Sequence, residues 1–187
     1  MSFIGRSKEF AILEKLRKKS SSSLVCIMGR RRIGKSALIE KWGSQFAHFF
    51  YFHGLGPDLA SNNRDQLNHF ASELSTYFKI PKPELLDWDI AFDYLAKLTQ
   101  KGEWLILLDE ISWMGGDDPL FAVKLKSAWD VKFKKNSKLI LVICGSVSAW
   151  IETNILESDH FLGRVSVSID LKELTLKEIS AFWKSQN

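Results

Sequence analysis

Cys26 to Glu40 reads CIMGRRRIGKSALIE, and within it Gly29, Gly34, Lys35 and Ser36 fit the spacing G-x-x-x-x-G-K-[ST]. Chemistry explains that spacing. Backbone N–H groups of such a loop converge on phosphate oxygens, and the helix that follows adds its positive N-terminus. Glycines let the backbone approach without a side-chain clash. The lysine reaches the outer phosphates and the hydroxyl serves Mg²⁺. The context agrees. Leu24 to Met28 is a continuous apolar run of the kind buried on both faces of a parallel sheet, and Ala37, Leu38 and Trp42 continue as a helical pattern. Gly29, Arg30, Arg31, Arg32, Ile33, Gly34, Lys35, Ser36 and Ala37 are therefore the candidate phosphate-loop contacts. For the three arginines two readings stand: they point to solvent or a neighbouring subunit, or one adds charge against a polyphosphate. The first is preferred, because Lys35 and the backbone already serve the phosphate.

Outward from this loop, strand-like and helical segments alternate. Phe49–His53 (FFYFH), Trp104–Glu110 (WLILLDE), Leu139–Cys144 (LILVIC) and Val165–Ile169 (VSVSI) read as further strands. Helical spacing is predicted over 7–19 (Phe10, Leu13, Leu16), over 62–79 (Leu67, Phe70, Leu74, Phe78), from Trp88 to Leu98, and through Phe121, Leu125, Ala128 and Trp129. Asp118 and Pro119 look like a cap and first position for that last helix. Thr175 and Glu178 form a capping box before a helix carrying Ile179, Phe182 and Trp183. The alternation predicts an α/β fold with a mostly parallel sheet.

A second chemical signal closes the third strand. Leu105 to Leu108 run into Asp109 and Glu110, and a carboxylate at the C-terminal end of a buried strand lies where α/β folds bind ligands. Asp109 is expected to hold Mg²⁺ through water, and Glu110 to orient or deprotonate a water for attack on a γ-phosphate. An acid there suits hydrolysis better than phosphate transfer to another acceptor, which must keep water out.

Composition sets bounds. The 187 residues, 45% hydrophobic and 26% charged, suit one soluble compact domain, or one domain plus a fragment of another. No apolar run is long enough to cross a bilayer, and Met1 to Arg6 holds no secretory signal; a cytoplasmic protein without a membrane partner is expected. Cys26 and Cys144 lie in apolar strand-like runs and read as buried free thiols. His48, His69 and His160 show no metal-ligand spacing. A net charge of +4 permits nucleic-acid contact without arguing for it. The basic clusters Lys15–Lys19 and Lys132–Lys138 read first as solvated helix ends, and second as a nucleic-acid or partner surface.

Taken in order, FIGRSKEFAILEKL (Phe3–Leu16), MGRRRIGKS, LLDEISWM (Leu107–Met114), SAWD (Ser127–Asp130), LILVICGSVSAW (Leu139–Trp150) and FLGRVSVSIDLKEL (Phe161–Leu174) resemble prokaryotic AAA+/STAND-type P-loop ATPases of the archaeal-type ATPase family. The resemblance implies a P-loop NTPase three-layer sandwich with a parallel sheet of order 5-1-4-3-2. It implies ATP or ADP and Mg²⁺ as ligands. Phe3, Ile4 and Arg6 would line the adenine pocket, Ser146 would be the polar sensor of the γ-phosphate, and Arg164 would either reach a neighbouring subunit's nucleotide or make a structural ion pair. In that sheet order Cys26 and Cys144 would lie close in the core, and His53 could hold Glu110 away from the γ-phosphate. Residues 1–170 would form the ATPase core and 171–187 the start of a helical lid, largely missing, whose second sensor arginine lies outside the chain. The expected function is an ATP-binding protein, a slow Mg²⁺-dependent ATPase acting as a conformational switch. The alternatives are a non-hydrolysing nucleotide-binding interaction module and, more distantly, a small-molecule kinase. Self-association or a protein partner is allowed; no motif supports nucleic acid.

Overall fold

The computed structural model describes residues 5–59, 62–146, 149–176 and 178–180. Five strands form one parallel sheet: β1 (Ser23–Gly29), β2 (His48–His53), β3 (Trp104–Asp109), β4 (Leu139–Gly145) and β5 (Val165–Leu171). Their order is β2-β3-β4-β1-β5, the expected 5-1-4-3-2 read from the other edge. The three inner strands β1, β3 and β4 are buried along their whole length, as a sheet covered on both faces requires. The edge strands alternate instead, β5 most clearly.

Helices α1 (Ser7–Arg17) and α2 (Lys35–Gly43) cover one face, and α3 (Asn63–Phe78), α4 (Trp88–Leu98) and α6 (Phe121–Val131) the other. A single turn, α5 (Ile111–Met114), follows β3. Pleating divides each strand between the layers. Val25, Ile27, Leu105, Leu107 and Val142 pack under α1 and α2, while Leu24, Cys26, Ile106, Leu108, Leu141 and Ile143 pack under α3, α4 and α6. Caps fix the helix starts: the Asn62 and Asp87 side chains accept from the amides of Asp65 and Ile90 at 3.1 and 2.9 Å.

Two expectations change. The α6 helix begins at Phe121, two residues later than the Asp118–Pro119 reading. Asp118 accepts from the Leu120 amide at 2.9 Å and so builds the turn before the helix. The cysteines lie on adjacent strands but on opposite faces of the sheet: Cys26 is in register with Ile143 and Cys144 with Ile27, and each thiol belongs to a different core layer. The pleat therefore separates them. Burial pushes the Cys26 thiol up to about 12, as for an inert core cysteine. Phe182 and Trp183 lie outside the described residues.

Trp88 anchors the larger layer. It is fully buried, its ring meets Phe70, Phe92 and Phe121 with centroids 5.0 to 5.6 Å apart, and its N–H donates to Asn63 Oδ1 at 2.6 Å. Trp88→Ala is expected to lower unfolding free energy by about 3–5 kcal/mol, measured as a urea midpoint shift at constant slope.

Candidate functional site

Because β1 lies inside the sheet with β4 between it and β3, the C-terminal ends of these three strands form one edge. Each of them carries a candidate residue there. Gly29 ends β1, and residues 30–34 turn into α2. Arg32 adopts the left-handed region at φ 65° and Gly34 at φ 95°. Nothing lies within 4 Å of a Cβ built on Gly34, so backbone angle alone demands glycine there, whereas a Cβ on Gly29 would meet the Leu171 carbonyl oxygen at 2.7 Å. Lys35 is buried at 5% exposure and its Nζ donates to the carbonyls of Gly29 and Arg30 at 3.0 and 3.1 Å, closing the loop on itself.

Ser36 Oγ donates to Asp109 Oδ2 at 2.6 Å. The same oxygen accepts from Tyr51 Oη at 3.1 Å and faces His53 Nδ1 at 3.5 Å, while Oδ1 accepts from the Glu110 amide at 3.0 Å. Burial pushes the Asp109 carboxyl up, but hydrogen bonds from Ser36, Cys144 and the Glu110 amide, with the charge of His53, outweigh it and leave the group below its ordinary value. It is an anion at neutral pH. Burial, then Asp109 itself, raise Tyr51 well above its ordinary value, so its hydroxyl keeps the proton it donates. A hydroxyl and a carboxylate are the hard oxygen donors that suit Mg²⁺, an ion that takes few protein ligands and keeps water. Ser36 and Asp109 thus fit the ion in chemistry and proximity.

Glu110 is held in the left-handed region at φ 51°, uncommon for a residue with a Cβ. Its carbonyl accepts from the Trp113 amide at 2.9 Å, so the residue turns the chain from β3 into α5. It is 7% exposed, and its Oε2 is buried with no partner among the described residues. A buried unpaired carboxylate oxygen is costly and clusters at functional sites. His53 approaches Asp109, not Glu110, because it is in register with Asp109 across the parallel ladder. The expectation that it restrains Glu110 is therefore corrected.

The remaining candidates divide. Ser146 follows Gly145, which is in register with Met28, at the same edge. Arg164 binds Asp130 through Nε at 2.8 and 3.0 Å, the structural pairing of the two readings. Arg30 pairs with Glu173 at 3.3 Å. Arg31 is exposed, as expected, and its guanidinium lies 5.4 Å above the Trp113 ring, an intramolecular cation–π contact. Ile33 is half-buried and Ala37 exposed. Arg6 donates to the Lys172 and Ile33 carbonyls at 2.5 and 3.0 Å, and both acceptor residues line a cleft of about 610 Å³ beside the loop. Phe3 and Ile4 lie outside the described residues. Sequence reasoning missed Tyr51, Cys144 and Trp113 as site residues. Tyr51 was within reach of it, since it shares a strand face with His53 two residues on.

The glycines give an ordered expectation. Gly34→Ala should cost about 1–2 kcal/mol from the positive φ alone, and Gly29→Ala more, because a main-chain oxygen must move. Urea unfolding of the two variants measures the order.

Comparison with known proteins places this geometry. Residues 3–186 match the family described as an ATPase domain predominantly from Archaea. An uncharacterized protein of Methanocaldococcus jannaschii is 23% identical over 181 residues, covering 97% of this chain and 38% of its own length. The Walker-type ATPase of Pyrococcus abyssi superposes with a TM-score of 0.71 at 18% identity, over 98% of this chain and 57% of that one. Cdc6p of Pyrobaculum aerophilum gives 0.67 at 16% identity, over 99% and 51%. The chain thus spans between 38% and 57% of the length of these proteins. With the P-loop fold, the nucleotide-type loop and a match over nearly its whole length, the chain belongs to the archaeal ATPase family.

Proposed function

We propose that this chain binds ATP with Mg²⁺ and hydrolyses it slowly, the bound state being its output as a conformational switch. The observation that carries the reading is the convergence of Lys35, the Ser36–Asp109 pair and the unpartnered Glu110 carboxylate at one sheet edge. The amides of 30–36 cradle the phosphates. Lys35 leaves the Gly29 and Arg30 carbonyls for the outer phosphates, and Ser36 and Asp109 hold the cation. When bound, Mg²⁺ neutralises charge on the phosphate oxygens. Glu110, next to an ionised Asp109, takes the proton of the attacking water, and Ser146 hydrogen-bonds the terminal phosphate. The cleft at Arg30, Ile33 and Asp170–Glu173 takes the base and ribose, with Arg6 fixing its two walls.

Two contacts support a switch. Arg31 on Trp113 ties the loop to the turn that holds Glu110, and Trp113 in turn meets His53 edge-on at 5.9 Å. Moving the loop onto phosphates therefore disturbs the end of β2. Farther out, Glu178 closes its capping box on Thr175 and also accepts from the Arg6 amide at 2.8 Å. We read 1–170 as the ATPase core and 171–187 as the start of a helical lid, docked by this contact on the base-binding side. Arg164, held by Asp130, acts in structure in this chain and as a finger only if a second copy assembles against it. No helix among the described residues is long and apolar enough to cross a membrane, in keeping with the cytoplasmic setting proposed here.

Phosphate release from purified protein tests the reading. Glu110→Gln should keep nucleotide uptake and lose release by about 100-fold or more, while Lys35→Ala loses both. Equal release from wild type and Glu110→Gln would leave the non-hydrolysing module. Phosphate appearing on an added acceptor would favour the kinase.

A further inference from the structure

We propose that the sheet edge opposite the phosphate loop binds the phosphate backbone of double-stranded nucleic acid without reading its sequence. The loops entering the neighbouring strands β1, β3 and β4 are residues 18–22, 99–103 and 132–138. Together they hold seven lysines and one acid, Glu103, a net +6 against +4 for the whole chain, so the rest of the molecule is net −2. The charge is therefore concentrated at one end, which a solubilising coat does not require.

Internal pairing leaves most of this charge available. Glu103 is bound by Arg17 Nε at 2.8 Å, Lys132 pairs with Asp93 at 2.9 Å and Lys134 with Asp130 at 3.3 Å. Lys18, Lys19, Lys101, Lys135 and Lys138 are exposed and make no salt bridge among the described residues. They stand on a fixed platform. Asn136 Nδ2 donates to the carbonyls of Thr99 and Gly102 at 2.8 and 3.0 Å, Ser22 Oγ to that of Lys134 at 3.3 Å, and the Trp104 amide to that of Lys138 at 3.2 Å. Two clefts, of about 470 and 290 Å³, open between these loops, the first rimmed by Lys97, Lys101, Lys132 and Lys135, the second by Arg17, Lys19 and Lys138.

The lining selects the partner. Exposed Ser20, Ser21 and Ser137 offer the hydroxyl donors that accompany lysines on phosphate oxygens. Of the aromatic rings at this edge, Phe46 is 9%, Trp104 5% and Phe133 1% exposed, while the exposed rings of His48 and Tyr77 lie against Trp104 and line neither cleft. Neither cleft thus offers an exposed ring for base stacking, which single strands need. Cations spread over two clefts match a continuous polyanion better than an acidic peptide seated in one.

The edge lies at the far end of the strands from Gly29 and Asp109, so this surface and the nucleotide site are separable by experiment. Fluorescence anisotropy with a labelled mixed-sequence duplex of about 20 base pairs should show saturable binding whose logarithm falls against log salt with a slope of about −4, alike for unrelated sequences. The double variant Lys135→Glu/Lys138→Glu should bind at least about tenfold more weakly with a shallower slope, keeping its thermal melting and ATP uptake. Lys82→Glu, on an exposed lysine elsewhere, should bind as wild type. Absence of binding at low salt, equal binding by the charge-reversed variant, or tighter binding of single strands or polyglutamate than of duplex would overturn the proposal.

Discussion

The hydrogen bond from Ser36 to Asp109 joins two strand ends that are not neighbours, because β4 runs between β1 and β3. At a strand spacing of about 4.8 Å, the side chains must close a gap of about two strands over the end of β4. That constraint explains the residues at the end of β4. Cys144, Gly145 and Ser146 are small, and a Cβ on Gly145 would meet Ile151 at 2.6 Å. The Cys144 thiol serves Asp109 from below as a donor. The strand order, the glycine at the end of β4 and the charge state of Asp109 are thus parts of one arrangement. Tyr51 and His53 complete it from the other side, since β2 is in register with β3 up to the His53–Asp109 pair.

Local geometry was legible in the sequence, and tertiary placement was less so. The phosphate loop and the run into Asp109 are contiguous, and their chemistry follows from spacing, so both read directly. The sheet order followed from the family resemblance. What eluded sequence reasoning depends on where a side chain points once strands are in register. Cys26 and Cys144 sit on neighbouring strands, yet the pleat sends them to opposite faces. His53 reaches Asp109 because register pairs those two positions. The left-handed backbone at Glu110 has no local signature, as glutamate is not a residue that favours it. The Arg31–Trp113 contact joins loops more than eighty positions apart, which no periodicity reports.

The two ends of the sheet differ in kind. At the C-terminal edge, buried polar groups are mutually engaged around one carboxylate, apart from one Glu110 oxygen. At the N-terminal edge, lysines are exposed and largely unpaired on loops tied together by hydrogen bonds to their backbone carbonyls. A buried network of the first sort pre-organises a small ligand's site, and an exposed field of the second sort draws a polyanion at long range. A parallel sheet produces this division, because all its strands begin at one end and finish at the other.

A crystal grown with Mg²⁺ and a non-hydrolysable ATP analogue tests the central claim most directly. The account predicts triphosphate density along the amides of 30–36, a cation beside Ser36 and Asp109, and Lys35 Nζ moved from the Gly29 and Arg30 carbonyls onto the phosphates. Analogue bound elsewhere on the molecule, with Lys35 still on those carbonyls at saturating concentration, would contradict it.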